Sequence, residues 1–117
     1  MPIVPVYYKG KADDPAVLQK LHDGLPEILA RMLSIPGFEL KGKNIQLRFL
    51  KGSPYDTGED LFIHPHADIV RNDNLKGRID QAEKEMRDLL SPSPRSDGET
   101  VHGTVYPFLG TGEVFSF

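Results

Sequence analysis

The chain has 117 residues, one domain near the commonest size, and 38% of them are apolar, enough for a single core. A net charge of −3, with both signs interspersed, argues against the basic face that nucleic-acid binding requires. The absence of cysteine removes disulfide frameworks and thiolate metal sites. No apolar run reaches the length of a membrane span, and the N-terminus lacks the basic-then-apolar pattern of a secretion signal. The expectation is a cytoplasmic protein with no membrane or nucleic-acid partner.

Residues 2–8 are apolar with almost no alternation, the pattern of a strand covered on both faces. Pro2 and Pro5 cannot donate to a ladder, so this strand is expected to be incompletely hydrogen-bonded near its start. Asp14-Pro15 reads as a helix N-cap followed by proline at the first helical position. Val17, Leu18, Leu21, Leu25, Ile28, Leu29, Met32 and Leu33 then follow at helical spacing. Pro26 falls inside that pattern and is expected to kink or split the helix. The helix is expected to end before Ile35-Pro36-Gly37.

Between Asn44 and Leu50 the chain alternates, with Ile45, Leu47 and Phe49 on one face and Asn44, Gln46 and Arg48 on the other. A turn-rich loop over 51–60 leads to a third strand over 61–70. There Leu61, Ile63, Ala67 and Ile69 oppose Phe62, His64, His66 and Asp68. A second amphipathic helix runs from Leu75 to Leu89 or Leu90, and residues 91–98 stop it in a segment expected to be mobile. A fourth strand spans 100–108. Residues 109–117 form a tail that can add a short edge strand.

The chain thus reads as two βαβ units, 1–50 and 61–108, within one domain over 1–117. The predicted fold class is α/β (α+β): a four-stranded mixed sheet with both helices on one face. The other face then has no helix to cover it, although the first strand is apolar on both sides. Burial against further copies of the chain, and hence a homo-oligomer, is the physical expectation.

If Met1 is trimmed, Pro2 becomes a rigid secondary amine at the head of a strand. An α-amino group titrates near pKa ~8, and an apolar setting lowers that value towards neutrality. Such an amine is a usable general acid or base. Were Met1 retained, the same nitrogen would be an amide and the chain a non-catalytic oligomeric module. Arg71 and Arg48 are candidate carboxylate holders, because guanidinium groups grip carboxylates bidentately and stabilise enolate charge. Two histidines and a carboxylate at His64, His66 and Asp68 suggest a metal. Alternate positions on one strand stand about 7 Å apart, so no metal is expected, and His64 and His66 are read instead as polar residues at a subunit contact, or one of them, His64, as lining the pocket. Tyr106 can orient substrate or water, and Glu113 can activate water. His102 shares the polar face of the last strand with Thr104.

Pro2 heading a β-strand, together with the double βαβ pattern over the whole length, resembles the tautomerase superfamily. Within it, the stretch from Asp60 to Gly77, with its histidine-bearing strand, arginine-bearing loop and Leu75-Lys76-Gly77 helix start, is similar to the cis-3-chloroacrylic acid dehalogenase group. It is more distantly similar to malonate semialdehyde decarboxylase. Those groups carry two loop arginines; Arg71 matches the second, and Asp68 stands at the position of the first. Val105-Tyr106 followed by Glu113 resembles the dehalogenase tyrosine and glutamate at a shorter spacing. Lys43 loosely resembles the pocket lysine of the macrophage-migration-inhibitory-factor branch.

The resemblance implies a cofactor-independent, homotrimeric isomerase in which Pro2 moves a proton on a small 2-oxo or unsaturated carboxylate. Pro2, Arg71, Tyr106 and Glu113 would do the chemistry, and Arg48, Arg71 and His64 would bind the substrate. Hydratase-type dehalogenation or decarboxylation is the alternative, with Pro2 protonated and Glu113 activating water.

Overall fold

The computed structural model describes residues 3–34, 37, 39–67, 75–106 and 108–109. Met1, Pro2, Asp68, Arg71 and Glu113 lie outside the described residues. The elements are β1 (Ile3–Tyr8), α1 (Pro15–Leu33), β2 (Gln46–Lys51), β3 (Leu61–Ile63), β4 (His66–Ala67), α2 (Leu75–Leu89), β5 (Gly103–Val105) and β6 (Phe108–Leu109). Short 3-10 turns precede α1 and β2.

β1 is the centre of the sheet. It pairs parallel with β2 and antiparallel with β3 and β4, while β5 and β6 run parallel to β3 and β4. β3 and β4 keep one register against β1, since Val6 faces Ile63 and Ile3 faces His66. They are two pieces of one interrupted strand, and β5 and β6 are likewise. The sheet therefore has four strand positions, in the order β2, β1, β3/β4, β5/β6.

The expected third strand over 61–70 is thus broken at His64-Pro65. The His64 amide still donates to the Pro5 carbonyl at 3.1 Å. Pro5 has no N–H to return on the β1 side, and Pro65, whose nitrogen points to the opposite side of its strand, has none to offer towards β5 and β6. The two prolines interrupt the ladders on both sides of this strand without shifting its register against β1. The expected fourth strand over 100–108 is also shorter at its start and split, and Leu109, assigned by sequence to the tail, belongs to β6 beside Ala67.

α1 starts where the sequence indicated. The Asp14 carboxylate accepts from the Ala16 amide at 2.9 Å, and Pro15 occupies the first turn. Pro26 does not split the helix, which runs through it for 19 residues. A proline deprives the carbonyl four residues earlier of its donor. Here that residue is His22, which is exposed, so water can serve the orphaned oxygen. The Ser34 hydroxyl closes the helix by donating to the Ala30 carbonyl at 2.7 Å.

Both helices pack on the same side of the sheet. Val17, Leu21, Leu25, Ile28 and Leu29 of α1 and Ala82 and Met86 of α2 are buried with Val4, Val6, Leu61, Ile63 and Val105. Each fully buried leucine contributes roughly 1.5–3 kcal/mol relative to exposure. Gly24 lies where the two helices approach: a Cβ there would stand 2.6 Å from Leu89 Cδ1, and the leucine side chain would have to shift. Arg78 of α2 donates to the Ser34 carbonyl at 2.9 Å and also to that of Met32, at the end of α1.

Residues 91–98 are tethered at several points rather than loose. The Arg95 guanidinium grips Asp97 with two bonds of 2.9 and 2.7 Å and donates to the Lys11 carbonyl at 2.7 Å. Ser93 donates to the Glu99 carbonyl at 2.7 Å. No described helix is long and apolar enough to cross a membrane.

Candidate functional site

The strand alternation sorts the candidate residues by face. Leu47 and Phe49 pack against the core, so Gln46, Arg48 and Leu50 project from the helix-free side of β2. Leu61 and Ile63 are buried while Phe62 is exposed, which places Phe62 on that same side of β3. His64 and Tyr106 stack against Phe62, with ring centroids 5.4 and 6.4 Å away. Tyr7 of β1 joins them, 6.2 Å from Phe62.

Register then aligns these residues across the sheet. Arg48 faces Pro5, and Pro5 accepts from the His64 amide. The β3–β5 register, continued by one residue, sets His64 beside Tyr106. Arg48, Pro5, His64 and Tyr106 therefore form one row over four strand positions. Strand spacing puts the backbones of Arg48 and His64 about 10 Å apart and those of Arg48 and Tyr106 about 14 Å apart. The structure brings His64 and Tyr106 together; it does not bring Arg48 into contact with either.

His64 is held in a defined way. Its Nδ1 lies 2.6 Å from the Tyr106 carbonyl oxygen. A carbonyl only accepts, so Nδ1 carries the proton. The ring is oriented by the strand beside it, and Tyr106 in turn is fixed by its amide donating to the Ile63 carbonyl at 2.8 Å. The Tyr106 side chain is 60% exposed.

Arg48 is oriented from its own strand. Nη1 donates to the Leu47 carbonyl at 3.0 Å and Nη2 to Gln46 Oε1 at 3.2 Å. Sequence reasoning placed Gln46 on this face but gave it no role; the signal was its position two residues before Arg48. It also overlooked Glu59, whose carboxylate accepts from the Thr104 hydroxyl.

Among the described residues no group of three or more histidine, aspartate or glutamate side chains could hold a metal ion. His66 and Asp68 side chains lie outside the described set. Lys43 sits exposed in the turn before β2, and His22 is exposed on α1. His102 lines a cavity of about 590 Å³ between the end of α2 and the edge of β5, together with Leu61, Met86, Arg87 and Val105. Leu61, Met86 and Val105 belong to the core that the helices cover, so this cavity is separate from the row.

No protein-family model and no curated protein matches this chain. Among solved structures, a 5-carboxymethyl-2-hydroxymuconate delta-isomerase matches with a TM-score of 0.67, over 100% of this chain and 87% of that one, at 16% identity. The likeness is one of fold: two helices on one face of a four-stranded mixed sheet, the tautomerase-like arrangement that the sequence resemblance implied.

Proposed function

We propose that the chain is a cofactor-independent isomerase of the tautomerase type, acting on a small 2-oxo or unsaturated carboxylate. The observation that carries this reading is the row on the helix-free face. It sets Arg48, oriented by its own strand, across β1 from His64 and Tyr106, and β1 begins immediately after Pro2. The fold shared with an isomerase supports it. That isomerase is named for a hydroxymuconate, an enol-bearing unsaturated acid, and this is the substrate class we assign here.

In the proposed reaction the neutral Pro2 amine takes the proton of the enol hydroxyl. The electron pair moves along the conjugated system, and the protonated amine returns the proton to carbon, leaving the keto acid. Arg48 and Arg71 hold the carboxylate, and their charge stabilises the intermediate dienolate. His64 and Tyr106 bound the row at its far end. The working assembly is a homotrimer in which further copies cover the helix-free face.

The test is a pH–rate profile with phenylenolpyruvate, 5-carboxymethyl-2-hydroxymuconate and a 3-haloacrylate. Turnover of an enol acid that rises as Pro2 deprotonates, and falls at least a hundredfold in Pro2→Ala, is expected. Turnover of the haloacrylate alone, with a protonated Pro2, would instead identify a hydratase-type dehalogenase with Glu113 activating water. Retention of Met1 in natural material, read by intact mass, would sink the amine mechanism.

A further inference from the structure

We infer that Gln46 is the positioning residue for Arg48, setting its guanidinium so that it meets a carboxylate already oriented. This rests on the reading of Arg48 as a carboxylate holder and assigns the device that makes it selective.

Gln46 and Arg48 are two apart on β2, so their side chains leave the same face about 7 Å apart at the backbone, within reach of two long side chains. The guanidinium has only donors, so the Gln46 atom 3.2 Å from Nη2 must be its amide oxygen, which fixes the amide orientation. The second anchor is the Leu47 carbonyl. The Gly52 amide donates to the Tyr8 carbonyl across the β1–β2 ladder, so even-numbered β2 residues bond to β1 and odd-numbered ones point outward. The Leu47 carbonyl therefore lies on the open edge of the sheet. With Nη1 on that edge and Nη2 on Gln46, the guanidinium is folded over the β2 rim.

Donor arithmetic leaves the grip intact. A guanidinium has five N–H groups. Two are used by these anchors, and a bidentate carboxylate needs two of the other three. An unanchored arginine would lose the rotamer freedom of its long arm on each binding event; here Gln46 has removed much of that freedom beforehand. Gln46 also faces Ile3, the residue that follows Pro2, so the anchor stands at the same end of β1 as the proposed amine.

The experiment compares wild type, Gln46→Leu, Gln46→Glu and Arg48→Ala. Three readouts are used: the 15N order parameter of the Arg48 Nε–H, the Kd for 3-phenyllactate (a 2-hydroxy acid that cannot tautomerise), and KM against kcat for phenylenolpyruvate. Gln46→Leu is expected to lower the order parameter and to raise Kd and KM about tenfold, the worth of one hydrogen bond to a charged group, with kcat within about twofold. Gln46→Glu is expected to restore the order parameter but not Kd, because its carboxylate holds the guanidinium while competing for it. Unchanged order parameter and Kd in Gln46→Leu would overturn the assignment. Unchanged Kd in Arg48→Ala would overturn it too. Should wild type bind phenyllactate but turn over no enol acid, the catalytic reading fails while the order parameter and Kd still decide the role of Gln46.

Discussion

At the scale of single residues, Asp97 shows how a surface carboxylate is tuned by its partners. The Arg95 guanidinium, and then the Glu99 amide, hold its carboxyl well below the usual carboxylate range. Its folded pKa is depressed, so the stabilisation it lends to residues 91–98 is present above the unfolded value of about 3.9 and is lost as pH falls below it. Arg95→Leu is expected to return the Asp97 titration towards that value and to speed amide hydrogen exchange over 91–99, both read by NMR. The composition of this segment suggested a loose loop because serine, proline and glycine are turn residues. Its tether was illegible, since the Lys11 carbonyl that Arg95 reaches lies 84 positions away in the chain. The faces of Arg48 and His64 were different: Arg48 sits on β2 and His64 directly follows β3, and the alternation of their neighbours is a local pattern. Pro2, Arg71 and Glu113 rest on the sequence reading alone, because they fall outside the described residues.

At the scale of elements, proline was the residue most easily misread. In α1 it was expected to kink or split the helix, and the helix is not split, because the carbonyl it orphans belongs to an exposed turn. Packing of Leu21, Leu25, Ile28 and Leu29 on one stripe outweighs the lost bond. Pro26→Ala is accordingly expected to stabilise the protein by about 1–3 kcal/mol, seen as a higher urea midpoint with an unchanged slope. An unchanged midpoint would mean that the proline ring contributes packing of similar size. In the sheet the opposite error arose. The alternation of apolar residues over 61–70 suggested one strand, but Pro5 and Pro65 remove donors on facing strands. Pro65 lies within that pattern, but the position of Pro5 opposite His64 depends on register between distant segments, which a single strand's pattern does not contain. Removing the N-cap with Asp14→Ala is expected to cost about 0.5–2 kcal/mol, since the Ala16 amide would lose its acceptor.

At the scale of the whole molecule, the helix-free face is the unfinished surface. Ile3, Tyr7, Leu50, Phe62 and Tyr106 are each at least 36% exposed on a single chain, and they come from every strand position. Exposed large apolar residues gathered on one sheet face mark an interaction surface. The partner we propose for it is further copies of the same chain, because β1 is apolar on both faces and, among the described residues, α1 and α2 cover only one. Phe62 is the residue on which the prediction turns: its ring meets Tyr7, His64 and Tyr106 and so sits amid the patch. Phe62→Lys would place a charge where the proposed trimer must be dry, at a cost of several kcal/mol for each buried ammonium. The helical core lies on the other side of the sheet, so the variant is expected to keep its circular dichroism spectrum. Sedimentation should show it as a monomer of about 13.1 kDa, where the unmodified chain is expected to sediment as the proposed trimer. An unmodified chain that is itself monomeric would remove the assembly, and a Phe62→Lys variant that still forms trimers would move the interface off this face.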